Sequence, residues 1–314
     1  MRHRIHPLVR IAAATAVALI WSGAAHAGAR LSVITTTPDL ASIAEEIGGD
    51  RVAVESLSKG YQDPHFVDAK PSYLLKLRKA DLFVEVGRDL EAGWAPGLLN
   101  NARNARVRPG GIGFLDASAG VAILEQGGRV GREQGDVHPL GNPHHWLNPV
   151  NGLVIAANIR DALTRLAPAE AKYFHDRFVS FESRLKSKLD GWRKDAASLG
   201  LTGMKVVTYH RSWPYFAEAF GLDVVDYVEP RPGVPPAPRH VQDLIELMKA
   251  QKVGLLIVEP YFDPKLPSRI AQSAGVPMVV LPPSVGASPV ARGYLDLFDA
   301  QLDLIRKALG GGAP

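Results

Sequence analysis

The chain has no cysteine among its 314 residues. That excludes disulfides and thiolate metal sites together, so any metal must be held by nitrogen and oxygen. Beyond the first 27 residues it also lacks any run approaching about 18 uninterrupted apolar residues, so no later segment reads as a membrane span. The first 27 residues in turn lack any acid. Arg2, Arg4 and Arg10 make a basic start, Ile11 to Trp21 is an apolar run, and Ala25-His26-Ala27 fits a small-x-small cleavage site. This is the pattern of a secretory signal peptide, cut after Ala27 and leaving an exported, periplasmic mature chain. With no cysteine to acylate, a lipid anchor on the mature N-terminus is not expected. Net charge is lacking too: outside the leader, 33 basic residues face 32 acids. A nearly neutral chain offers no electrostatic footprint for nucleic acid.

What is present is an ordinary globular composition, with 22% charged and 46% apolar residues. The length suggests two domains rather than one. Residues 30–37 read as a β-branched strand, and Pro38-Asp39 opens a helix through Ile47. Residues 52–57 form a second strand, 71–79 a helix and 80–86 a third strand, with a short strand near Gly113 to Leu115. Residues 151–166 are helical. From Glu170 to about Ser198 the pattern is unbroken, with Phe174, Phe178, Phe181, Leu185, Leu189 and Trp192 spaced by threes and fours on one face. A helix of about 28 residues is about 42 Å long, which suits a strut joining two domains. The alternation then resumes. Strands are expected at 204–209, 224–228, 253–258 and 277–281, with helices at 212–220, 240–250, 267–274 and 291–309. The reading is an α/β protein of two βαβ-type lobes with parallel sheets, joined by one long rigid helix. Its parts are a leader at 1–27, an N-terminal lobe at 28–166, the linking helix at 167–198 and a C-terminal lobe at 199–314. In such folds, ligands bind at the carboxyl ends of the strands.

Near the middle, Gly141-Asn142-Pro143-His144-His145-Trp146-Leu147-Asn148-Pro149 sets two imidazoles between two prolines. The prolines restrict the backbone to a rigid turn. In an extended segment neighbouring side chains face opposite ways, so one histidine is the candidate ligand and the other its neighbour. His65 and His210 each follow a strand and precede a helix. Taken singly, each of these histidines reads more readily as structural or solvated than as a ligand. Three of them from three separate loops, in a chain without cysteine, suggest a nitrogen-rich site of the kind zinc favours.

Asp63-Pro64-His65 with Lys70-Pro71-Ser72, Ala80-Asp81-Leu82, Leu90-Glu91 and Trp94 resembles the first signature of the solute-binding proteins that serve zinc and manganese ABC transporters. Asn142 to Pro149 is similar to the second signature of that family. Tyr209-His210 with Trp213, Tyr215-Phe216 and Phe220-Gly221-Leu222 resembles the third. The similarity runs through essentially the whole mature chain. It implies His65, His144 and His210 as metal ligands, and it leaves His145 as neighbour.

The fourth ligand of that family is usually an Asp at the end of the last strand, and here Pro283 stands in the matching stretch Leu281 to Gly286. Glu259, at the end of the preceding strand, is the first candidate to complete the set. It reads equally as a neighbouring or helix-capping acid, and His138 or water are the alternatives. Histidine at the third position points to zinc over manganese.

The resemblance therefore implies an exported receptor that captures zinc and hands it to a membrane ABC permease, not an enzyme. A periplasmic metallochaperone is a further candidate partner, with the polar loop from Glu125 to Gly141 as its docking place. A manganese or iron receptor is the near alternative. An exported zinc hydrolase with Glu259 as base is the rival from another class, and no His-Glu-x-x-His motif supports it. Intact mass of the exported protein tests the leader: the expected species begins at Gly28, and a retained leader contradicts it.

Overall fold

The structure, a computed structural model, describes residues 30–126, 138–231 and 233–310. The expected leader and most of the loop between Glu125 and Gly141 lie outside those residues. Strands β1 (Leu31–Thr35), β2 (Val52–Ser56), β3 (Leu82–Glu85) and β4 (Phe114–Asp116) form one parallel sheet in the order β2-β1-β3-β4. Helices α1 (Pro38–Gly48), α2 (Pro71–Lys79) and α3 (Ala95–Ala102) connect them. After α4 (Pro149–Leu166) and α5 (Ala171–Ser198) the plan repeats. Strands β5 (Lys205–Thr208), β6 (Asp223–Tyr227), β7 (Leu255–Val258) and β8 (Met278–Val280) make a second parallel sheet, β6-β5-β7-β8. Its helices are α6 (Pro214–Phe220), α7 (Pro238–Ala250), α8 (Lys265–Ala274) and α9 (Tyr294–Ala308).

Proline sets many of these boundaries. Helices α1, α2, α3, α4, α6 and α7 each carry one in the first turn, where its missing N–H costs nothing and its fixed φ starts the helix. One element departs from the sequence expectation. Helix α3 had no assignment, because Pro96-Gly97 and Asn100-Asn101 break its helical signature. It forms because Ala95, Leu98, Leu99 and Ala102 bury together.

The expected strut is present as α5, 28 residues long. Phe174, Phe181, Leu185, Leu189 and Trp192 are buried along it, while Phe178 is half-buried beneath the Arg160 guanidinium. This helix does more than bridge two lobes. Its apolar stripe joins one continuous core that runs from Val33 and Ile43 through Trp146 to Leu255 and Phe298. Polar contacts tie it to both lobes. Arg184 pairs with Glu46 of α1 at 2.6 Å, and Trp192 Nε1 donates to Asp299 of α9 at 2.7 Å.

The segments beyond the carboxyl ends of the two sheets also meet directly. Gly60 lies so close to the second lobe that a Cβ there would come within 2.0 Å of the Val285 carbonyl. Trp146 Nε1 donates to the Pro283 carbonyl at 2.9 Å. Asp39, in the first turn of α1, accepts from the Val285 N–H at 2.9 Å and from the Ser284 hydroxyl.

Asp39 is wholly buried, and that burial pushes its pKa up from 3.8 to about 7, against the hydrogen bonds that favour the carboxylate. A carboxyl with a raised folded pKa stabilises the fold fully below its unfolded pKa, and that contribution is lost as pH rises towards the folded value. Asp39→Asn should therefore match wild type near pH 4. At pH 8 it should exceed wild type by up to about 4 kcal/mol. Urea unfolding at both pH values checks this, and a wild type more stable than the variant at pH 8 contradicts it.

Candidate metal centre

The loops at the strands' carboxyl ends converge between the lobes. His65 comes from the loop after β2, His144 from the turn before α4, and His210 from the end of β5. All three are buried. Their ligand atoms lie within 4.8 Å of one another, and no other group of three or more candidate metal ligands is found among the described residues. Ring centroids are 5.1 Å apart for His65 and His144, 5.3 Å for His65 and His210, and 5.5 Å for His144 and His210.

Each imidazole is oriented through Nδ1 by a side-chain oxygen. His65 Nδ1 meets Asp63 Oδ1 at 2.7 Å, His144 Nδ1 meets Asn142 Oδ1 at 3.0 Å, and His210 Nδ1 meets Glu229 Oε2 at 2.9 Å. An acceptor at Nδ1 fixes the proton there and leaves the Nε2 lone pair for a cation. In two cases the same oxygen also accepts from the histidine's own backbone N–H, at 2.9 Å for Asp63 and 3.0 Å for Asn142. Asp-Pro-His and Asn-Pro-His are thus one device used twice: an acceptor two residues ahead, with a stiff proline between.

His144 Nε2 is buried without a hydrogen-bond partner, which suits an atom made to bind a cation. Burial, reinforced by His65 and His210, holds the pKa of His144 well below 6.5, so its ring is neutral and able to ligate. Burial also works against the Asp63 carboxylate. The hydrogen bonds it accepts from His65 outweigh that and hold its pKa below the ordinary value.

His138 is not one of the three clustered donors but stands beside them. Its Nε2 stands 3.0 Å from His65 Nε2, and burial with the neighbouring His65 and His210 lowers its pKa to about 3. Adjacent nitrogens on a tetrahedral zinc are about 3.3 Å apart. The stem of its loop is held by Glu125, which accepts from Asn142 Nδ2 at 2.9 Å and pairs with Arg211 at 3.5 Å. His145 turns away to meet the Val86 carbonyl at the end of β3, at 3.0 Å.

Glu259 sits at the end of β7, fully buried. Its Oε1 accepts from Trp213 Nε1 at 3.0 Å and its Oε2 has no partner. Burial raises its pKa to about 8. It does not belong to the set of donor atoms gathered within 4.8 Å. Sequence reasoning missed Asp63, Asn142 and Glu229 as orienting groups. The repeated acid-or-amide, Pro, His spacing could have revealed the first two; Glu229, 19 residues from its histidine, had no such signal.

The fold and the histidine cleft define a two-lobed binding receptor. Residues 33–308 match the family described as the periplasmic component A of the zinc-uptake complex, and the chain belongs to that family. It is a metal ABC transporter substrate-binding protein, of a family of receptors rather than enzymes. It is similar to the manganese ABC transporter substrate-binding lipoprotein PsaA of Streptococcus pneumoniae, 29% identical over 255 residues that cover 79% of this chain and 78% of that protein. The zinc-binding lipoprotein AdcA of Streptococcus pneumoniae is 27% identical over 265 residues, covering 82% of this chain and 50% of that longer protein. Among solved structures, a crystal structure of ZnuA shares the fold with a TM-score of 0.74 at 24% identity, covering 89% of this chain and 99% of the other. A manganese-bound periplasmic metal-binding protein from Candidatus Liberibacter asiaticus does so with a TM-score of 0.72 at 20% identity, covering 89% and 100%.

Asn142 ties the turn of His144 to the loop stem and, through Nδ2 to the Arg211 carbonyl at 2.8 Å, to the loop of His210. Asn142→Ala leaves the buried His144 N–H and Nδ1 unmet, removes the ties to Glu125 and Arg211, and should lower unfolding free energy by about 1–3 kcal/mol. Denaturant unfolding without metal measures it; an unchanged midpoint contradicts the assigned role.

Proposed function

We propose that this protein is an exported zinc receptor that binds one ion in the cleft and delivers it to a membrane ABC permease. The proposed ligands are His65, His144 and His210, with His138 as the fourth. The supporting observation is the donor chemistry. Three imidazoles converge, a fourth stands 3.0 Å from one of them, and no carboxylate among the described residues belongs to the cluster. An all-nitrogen set suits zinc, whereas manganese prefers oxygen. The leader pattern supports export to the periplasm.

Glu259 remains the carboxylate nearest to the role that the family gives to an Asp. Its engagement by Trp213 favours a buried neighbour over a ligand. The same engagement leaves it poorly placed to act as the base of a hydrolase. The shared core along α5 supports a receptor whose lobes move little, and release would require the permease to draw the lobes or His138 away from the metal.

Chelator competition on the mature protein tests this reading. One zinc should bind per chain, His138→Ala should weaken it ten-fold or more, equal to about 1.4 kcal/mol, and Glu259→Gln should change it less than about three-fold. A large loss with Glu259→Gln and none with His138→Ala makes Glu259 the ligand instead. Binding of manganese in preference to zinc overturns the metal assignment.

A further inference from the structure

A divalent cation held only by neutral imidazoles brings its full charge into a buried pocket, and a buried net charge is costly unless opposite charge lies close by. The family resemblance places a liganding carboxylate where this chain has Pro283. The compensating charge is found one imidazole further out. Asp63 Oδ1 lies 2.7 Å from Nδ1 of His65, and Glu229 Oε2 lies 2.9 Å from Nδ1 of His210. The side chains of Asp63 and Glu229 are only 23% and 7% exposed, so solvent screens them little. Neither has a Lys or Arg partner among the described ion pairs that would consume its charge. The third orienting group, Asn142, is neutral and carries out the same geometric task without charge.

We infer that Asp63 and Glu229 together replace the charge of the missing liganding carboxylate, acting through the rings of His65 and His210. They are positioning residues with an added electrostatic duty. Two anions set against a dication make the loaded pocket neutral while every donor atom remains nitrogen. Such a site gains affinity for divalent cations without gaining the oxygen donor that would favour manganese. This inference rests on the zinc reading of the same site.

The amides Asp63→Asn and Glu229→Gln keep an oxygen that can accept from the ring N–H and remove only the charge. Zinc affinity by chelator competition is measured on each mature variant, on the double variant and on wild type. The visible spectrum of the Co(II)-loaded form of each reports ligand geometry. The expected result is a ten-fold or greater loss in each single variant and at least a hundred-fold loss in the double, with Co(II) bands unchanged from wild type. Affinities within two-fold of wild type overturn the inference while leaving the zinc reading intact. Losses accompanied by altered Co(II) bands also overturn it, since they reduce both residues to orienting the rings. A wild type that binds no zinc overturns the reading beneath it. The two singles are independent, so a variant that does not fold leaves the other to decide.

Discussion

An oxygen atom on the Nδ1 side of His65, His144 and His210 is the constraint on which this candidate centre depends. Without it, an imidazole in a low-dielectric cleft could present either nitrogen and rotate about its χ angles. With Asp63, Asn142 and Glu229 in place, the tautomer and the ring plane of each histidine are set, and the Nε2 atoms converge. A cation bound there, as proposed, would meet lone pairs already aimed at it. Preorganisation of this kind reduces the ordering cost of binding, which is where a receptor built from long-range loops would otherwise lose affinity.

The fold holds those loops at fixed separation. Two parallel sheets of the same strand order present their carboxyl ends to one cleft, and α5 carries a single apolar core across both. Gly60 against Val285, Trp146 against Pro283 and Asp39 against Ser284 close the lobes on one side of the site. On the other side, the His138 stem is held by Glu125, Arg211 and Asn142 through solvent-accessible polar contacts. The asymmetry places the yielding contacts with the loop and the firm ones between the lobes.

Much of this architecture is legible in the sequence, for local reasons. The spacing of Phe174, Phe181, Leu185 and Leu189 can be satisfied only by a helix, and proline marks where most of the helices begin. The histidines stand out because they follow strands or sit between prolines. Three things are not legible. Helix α3 is hidden by Pro96-Gly97 and paired asparagines, and exists through burial. The bond from Asp39 to Ser284 spans 245 residues, and no local pattern announces it. Glu259 is correctly read as lying at a strand end, but its hydrogen bond from Trp213 comes from a helix start 46 residues earlier. Side-chain partners are a tertiary property, and the choice between ligand and neighbour turns on them.

The central claim is that nitrogen alone surrounds the ion while the anions stand one ring away. Zinc K-edge X-ray absorption on the loaded mature protein tests it most directly. The account predicts about four nitrogen scatterers at about 2.0–2.1 Å with the outer-shell pattern of four imidazoles. A shell of three imidazoles with a carboxylate oxygen would contradict it and return Glu259 to the first coordination sphere.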